Sequence, residues 1–189
     1  MRRLIAAAAL LALTACAARP TRPAAREEAL PELRLPPAGL GQPVSLTQQL
    51  TFEHARDAGG ARSLEALLEV DAEQLRLAGF ALGQRVFTLL WDGQHLEEQR
   101  APFVPSQLQA ARVLRDIQLV YWPAEGVRAA LPPGWTLEDS PGSRALLYAG
   151  QKKVVVRYDG HPRWEGGAEL RNEAEHYRLS IQSRRNPDE

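Results

Sequence analysis

The sequence predicts a mainly β (α+β) fold, a curved antiparallel sheet whose apolar face is covered by one or two helices. Three observations predict it. Apolar and polar residues alternate through most of residues 43–185, the period of strands buried on one face. Turn-forming pairs such as Asp92-Gly93, Gly150-Gln151 and Asp159-Gly160 separate the alternating runs. Only one long stretch, Ser106 to Tyr121, changes to helical spacing, and prolines bound it.

Taken in order, Leu46, Leu50 and Phe52 alternate with Ser45, Thr47, Gln49, Thr51 and Glu53. Ala66, Leu68 and Val70 alternate with Glu65, Glu69 and Asp71. Leu75 and Leu77 face one way while Gln74 and Arg76 face the other, and Phe87, Leu89 and Trp91 follow. Gln94 to Arg100 reads as a short polar strand. Pro102 and Pro105 interrupt the sheet, and Ser106 is the expected helix N-cap. Leu108, Ala111, Leu114, Ile117 and Tyr121 then fall near helical spacing until Pro123. Val127 to Leu131 reads as a further helical turn. The second half alternates again: Ala145, Leu147 and Ala149; Val154, Val156 and Tyr158; Ala168 and Leu170; Tyr177, Leu179 and Ile181. A sheet with one apolar face must cover it. A curved sheet wrapped around its helix, leaving a pocket, satisfies that need, as does a filled core.

Residues 1–15 read as a signal peptide, with a basic start at Arg2-Arg3 and an apolar run from Leu4 to Leu13. That run is too short to span a bilayer as a mature helix. Leu13-Thr14-Ala15-Cys16 resembles the bacterial lipobox, which makes Cys16 the expected site of lipid attachment. Acyl chains on that residue would hold the protein at a membrane, at about 0.8 kcal/mol per buried methylene. Ala17 follows the cysteine, and that resembles cargo sorted to the outer membrane with the folded domain facing the periplasm. Residues 16–42 are rich in alanine, proline and arginine and read as a lipidated tether. Residues 43–185 form the expected domain, and 186–189 a polar tail.

The chain has 189 residues, 44% hydrophobic and 24% charged, enough to bury a core without disulfide staples. Basic and acidic residues number 23 each, which argues against a nucleic-acid partner because that needs a basic face. Cys16 is the only cysteine, so no internal disulfide or cysteine metal site is expected. His54, His95, His161 and His176 are scattered. Glu97-Glu98 and Glu138-Asp139 are neighbours, and strand neighbours point to opposite faces, so neither makes an acid–base pair. No nucleophile stands beside a base in a recognisable motif. The reading is of a protein that is not an enzyme and uses no metal or cofactor.

The stretches Asp116-Ile117-Gln118-Leu119-Val120-Tyr121-Trp122-Pro123 and Leu131-Pro132-Pro133-Gly134-Trp135 carry a family resemblance, together with the order of lipobox, strands, helix and strands. The layout resembles the LolA/LolB family of lipoprotein carriers. The two stretches resemble more narrowly an outer-membrane lipoprotein family encoded in aryl polyene biosynthesis clusters. The resemblance implies an incomplete β-barrel closed by helices around an acyl-chain cavity. It implies a lipid or acylated cargo (an acyl chain, a lipoprotein or an aryl-polyene lipid), bound or transferred at the outer membrane, with a periplasmic carrier as a further partner. It also places Leu82, followed by Gly83, where the family has an exposed leucine on a membrane-insertion loop; Ala81 stands where the family has proline. The alternating faces nominate Leu68, Val70, Leu75, Leu77, Phe87, Leu89, Trp91, Leu114, Val156 and Leu179 as binding residues lining the hollow. Trp91 and Trp122 suit either the lining of a channel or the plug of an open sheet end. The alternative function is a non-enzymatic scaffold in a cell-envelope complex.

Overall fold

A computed structural model describes residues 29–55, 60–104 and 108–186. Cys16, the leader and Ser106 lie outside these residues. The strands are β1 Val44–His54, β2 Arg62–Val70, β3 Leu75–Ala81, β4 Gln84–Trp91 and β5 Leu96–Arg100, then β6 Trp135–Ser140, β7 Ser143–Tyr148, β8 Gln151–Tyr158, β9 Gly166–Asn172 and β10 Tyr177–Arg185. Between the two sets lie α1 Ala110–Tyr121 and α2 Ala124–Ala130. The protein is mainly β: one curved, unclosed sheet of ten strands in the order β5-β4-β3-β2-β1-β10-β9-β8-β7-β6.

All nine neighbouring pairs are antiparallel, and eight of them join strands consecutive in the chain, the ninth being β1 with β10. The chain starts at the centre in β1 and winds outward to the edge strand β5. The helices carry it across the apolar face to the other edge, β6. It then winds back until β10 pairs with β1, in register from Leu46↔Arg185 to His54↔Tyr177. The inward rows interlock across strands: Leu46 faces Leu68, Leu68 faces Leu77, and Leu77 faces Leu89. All four are buried, and each such side chain contributes about 1.5–3 kcal/mol of transfer free energy.

Three local expectations are corrected. β6 has no counterpart in the sequence reading, because only Trp135 and Leu137 mark its buried face before Glu138-Asp139-Ser140. On β7 Ala145 and Leu147 are buried, but it is Leu146 of the opposite row that joins the core cluster, with Arg144 beside it, opposite Val154 and Val156, and Ala149 is exposed. A register shift follows Leu146, and Ala149 sits at φ 48° in the turn. The inward row was hidden because one of its members is an arginine. Helix α1 starts at Ala110, with Gln109 as a cap residue that makes no side-chain hydrogen bond.

Strand side chains cap α1 instead. The Ala110 amide donates to Glu98 Oε2 at 2.7 Å. At the other end Arg144 Nη1 donates to the carbonyls of Leu119 at 2.7 Å and Trp122 at 2.8 Å. An acid at the helix start and a base at its end both complement the helix dipole. They also satisfy groups that a helix leaves unpaired.

The folded unit begins before Pro43. Pro31, Leu33, Leu35, Pro37 and Leu40 are buried, so residues 31–40 form a strap across one end of the sheet rather than a free tether. The Gln118 side-chain amide exchanges two hydrogen bonds with the Leu35 backbone, at 3.1 and 2.8 Å. Trp91 Nε1 donates to the same Leu35 carbonyl at 2.8 Å, and Trp122 Nε1 donates to the Pro36 carbonyl at 3.2 Å. Each indole is 1% exposed. The two tryptophans therefore close that end.

Candidate functional site: an apolar cleft beside α1

At the opposite end of the sheet, α1 and the strands leave a cleft of about 170 Å³. Its sheet side is made by Leu50 and Phe52 of β1, Leu64 of β2, Phe87 of β4 and Leu179 of β10. Its helix side is made by Val113, Ile117 and Val120. Leu50, Phe52, Leu64, Val113, Ile117 and Leu179 are only half-buried, so the apolar lining reaches solvent. Gly79 of β3 leaves space there: the nearest atoms a Cβ would meet are Phe87 Cβ at 3.5 Å, Leu64 Cδ1 at 3.6 Å and the Phe87 carbonyl oxygen at 3.9 Å, ordinary contact distances. Its missing side chain is room in the cleft, not relief for the backbone.

Two large apolar side chains stand exposed at this same end. Leu82 is fully exposed at the tip of the β3–β4 hairpin, and Phe103 is 72% exposed. Leu82 holds φ 52° and Gly83 φ 74°, the paired positive values of a two-residue hairpin turn. Leucine rarely adopts that conformation. Phe103 follows closely on Ala101, whose amide bonds the carbonyl of the cleft residue Val86 at 2.9 Å.

A polar cluster borders the cleft where α1 meets the β9–β10 turn. Arg115 Nη2 donates to Glu175 Oε2 at 2.6 Å and to the Tyr177 hydroxyl at 3.1 Å. Its Nε donates to Asp116 Oδ1 at 3.1 Å, and the Tyr177 hydroxyl donates to Asp116 Oδ2. Burial pushes the Asp116 carboxyl above its ordinary range, against the pull of Arg115 and the Tyr177 hydrogen bond. Burial also opposes the charge on Arg115, but Asp116, Glu175 and Tyr177 outweigh it and hold that guanidinium protonated. The cluster thus locks α1 to β10. The other adjacent acids are structural too: Glu138 pairs with Lys152, and Asp139 with Arg144 and Arg163.

Of the ten nominated lining residues, Leu77, Phe87 and Leu179 line the cleft. Leu68, Val70, Leu75, Leu89, Trp91, Leu114 and Val156 lie in the closed part of the core. Leu50, Phe52, Leu64, Val113 and Ile117 join the cleft without having been nominated. Leu50 and Phe52 already stood out in the alternation of β1, and their position nearer the open end separates them from Leu46. A second groove, of about 450 Å³, is lined by Glu53, His54, Arg171, His176 and Arg178 among others, and is polar and apolar in about equal parts. Among the described residues no three histidine, cysteine or acidic side chains are placed to hold a metal ion. Among the same residues no helix is long and apolar enough to cross a membrane.

A family model described as "Protein of unknown function (DUF3261)" matches residues 45–185. The chain belongs to the DUF3261 family. The DUF3261 match begins in β1 and ends in β10, so it takes in the cleft and both helices and leaves the strap outside. Among solved structures, the crystal structure of a LolA superfamily protein from Nitrosomonas europaea is similar at 7% identity, covering 78% of this chain and 87% of that one, with a TM-score of 0.45. No curated protein matches the chain.

Proposed function

We propose that this DUF3261 protein takes the acyl part of a lipid-like molecule into the cleft beside α1 and passes it on at the outer membrane. The observation that carries the reading is the apolar cleft itself, half-open at the sheet end where Leu82 and Phe103 project. Burial of apolar surface drives uptake: each methylene contributes about 0.8 kcal/mol, so six give about 5 kcal/mol before ordering costs. At about 170 Å³ the cleft is smaller than the roughly 300–1,000 Å³ of common ligand pockets, so it holds one end of an acyl chain, and the rest of a longer chain lies along the open end between Leu82 and Phe103. No covalent step is involved, and the protein acts as a carrier, not an enzyme.

The sequence supports the setting. Cys16, in its lipobox-like context, is the anchor, and Ala17 after it favours the outer membrane with the domain facing the periplasm. Leu82 is the element that enters the bilayer surface. The cargo is an acyl chain, a lipoprotein or an aryl-polyene lipid, received from a periplasmic carrier.

The test is extraction of the full chain from membranes under native conditions, followed by mass spectrometry of small molecules that stay bound. One long-chain amphiphile in near-stoichiometric amount is expected, and it is lost from the cleft-filling variant Gly79→Leu. A folded wild-type chain that retains none, and takes up none when offered, overturns the reading.

A further inference from the structure

Gln48 interrupts an apolar row. It lies on the inward face of β1 between Leu46 and Leu50, 4% exposed, and it is the innermost residue that β1 contributes to the cleft. Its Nε2 donates to the Tyr121 hydroxyl at 2.7 Å and to the Ser183 hydroxyl at 2.9 Å, and those two hydroxyls are 3.2 Å apart. Tyr121 also lines the cleft, from the last turn of α1. The apolar cleft therefore has a polar inner edge.

Counting hydrogens shows capacity left over. The amide nitrogen uses both of its hydrogens within the trio. Tyr121 and Ser183 share one contact, so whichever hydroxyl donates, the other keeps an O–H donor that the trio does not use. The Gln48 carbonyl keeps its acceptor role as well, since the trio engages only the amide nitrogen. Burial pushes the Tyr121 hydroxyl up to about 12, so it is a neutral donor at physiological pH. The trio is not needed to place α1, which Glu98, Arg144 and Gln118 already fix. Polar groups at such a site weaken binding of a purely apolar guest and strengthen that of a guest able to pair with them.

We infer that the Gln48–Tyr121–Ser183 trio recognises a hydroxyl at the buried end of the cargo chain, so that the cleft selects amphiphiles oxygenated at the terminus farthest from the headgroup. The inference rests on the carrier reading and adds the class of chain to it. With Ser183 donating to Tyr121, the spare donor is the Tyr121 hydroxyl, which lines the cleft with Gln48, and a plain alkyl terminus leaves it and the Gln48 carbonyl without a partner. A terminal hydroxyl, aliphatic or phenolic, accepts from one and donates to the other.

The experiment compares binding of dodecanoic acid and 12-hydroxydodecanoic acid to the purified full chain by calorimetry. The wild type is expected to prefer the hydroxylated chain about tenfold, in line with the cost of leaving a buried polar group unpaired. Gln48→Leu should reverse the preference, and Ser183→Ala, at a half-buried position that tolerates truncation, should reduce it. Circular dichroism confirms that each variant is folded; if Gln48→Leu is not, Ser183→Ala carries the test. Equal binding of both chains by wild type, or a preference that neither variant changes, overturns the inference and leaves the carrier reading standing. Failure of both chains to bind the folded wild type overturns the carrier reading and this inference with it.

Discussion

Arg144 is 2% exposed at a core-facing position of β7, yet its charge is satisfied on three sides. Asp139 accepts from its Nε at 2.7 Å, and the carbonyls of Leu119 and of Trp122, at the end of α1, accept from its Nη1. Removing the guanidinium strands those carbonyls in the core. Arg144→Leu is expected to cost about 3 kcal/mol, read by urea unfolding; a loss below the range typical of surface changes contradicts the assignment. Asp139 supplies a pH test. Burial pushes its carboxyl up, but hydrogen bonds and charge from Arg144 and Arg163 outweigh this and hold it below its ordinary value of 3.8. A carboxylate depressed on folding contributes stability above its unfolded pKa and loses it as pH falls through the folded value. Wild type should therefore exceed Asp139→Asn in stability near neutrality, and the gap should close as pH drops below about 4. Leu82 makes the opposite kind of case, a residue whose local cost has no packing return. Leu82→Gly should raise stability by about 1 kcal/mol, because glycine accepts positive φ freely. If Leu82 enters the bilayer surface, the same variant should co-float less with phosphatidylethanolamine–phosphatidylglycerol vesicles.

At the scale of elements, the strap is the feature least expected from the sequence. Prolines at 31, 36 and 37 give residues 16–42 the composition of a linker. Within it, Pro31, Leu33, Leu35 and Pro37 are buried in alternation with exposed neighbours, a strand-like period too short to stand out from that background. Its partners, Gln118, Trp91 and Trp122, are distant in sequence. A chain lacking residues 1–42 loses the burial of Leu33, Leu35 and Leu40 and should be less stable by on the order of 5 kcal/mol. Thermal unfolding of the shortened chain checks this; an unchanged Tm contradicts it. Helix α1 shows the same division. Its existence is written in the spacing of Leu114, Ile117 and Tyr121, but its start is set by Glu98 on another element. The strands were legible where alternation ran long, as in β1 and β10. They were not legible where Arg144 replaced an apolar residue or where, as in β6, only Trp135 and Leu137 marked the face.

For the whole molecule, alternation tells which side of each strand is apolar but not how far along the sheet the helix covers it. The curved, unclosed sheet with helices across it was therefore readable from the sequence, whereas the division of its hollow was not. The strap and the two tryptophans fill one end. At the other end Gly79, a residue without apolar weight, leaves room, and Leu50, Phe52, Leu64 and Ile117 stay half-buried around it. A carrier needs that space to admit a guest chain. Titration of the full chain with cis-parinaric acid, whose fluorescence rises in apolar surroundings, tests it most directly. Saturable one-to-one binding is expected, displaced by dodecanoate and abolished by Gly79→Leu while Tm is kept. Fluorescence that never saturates with folded wild type, or saturates unchanged in folded Gly79→Leu, would contradict it.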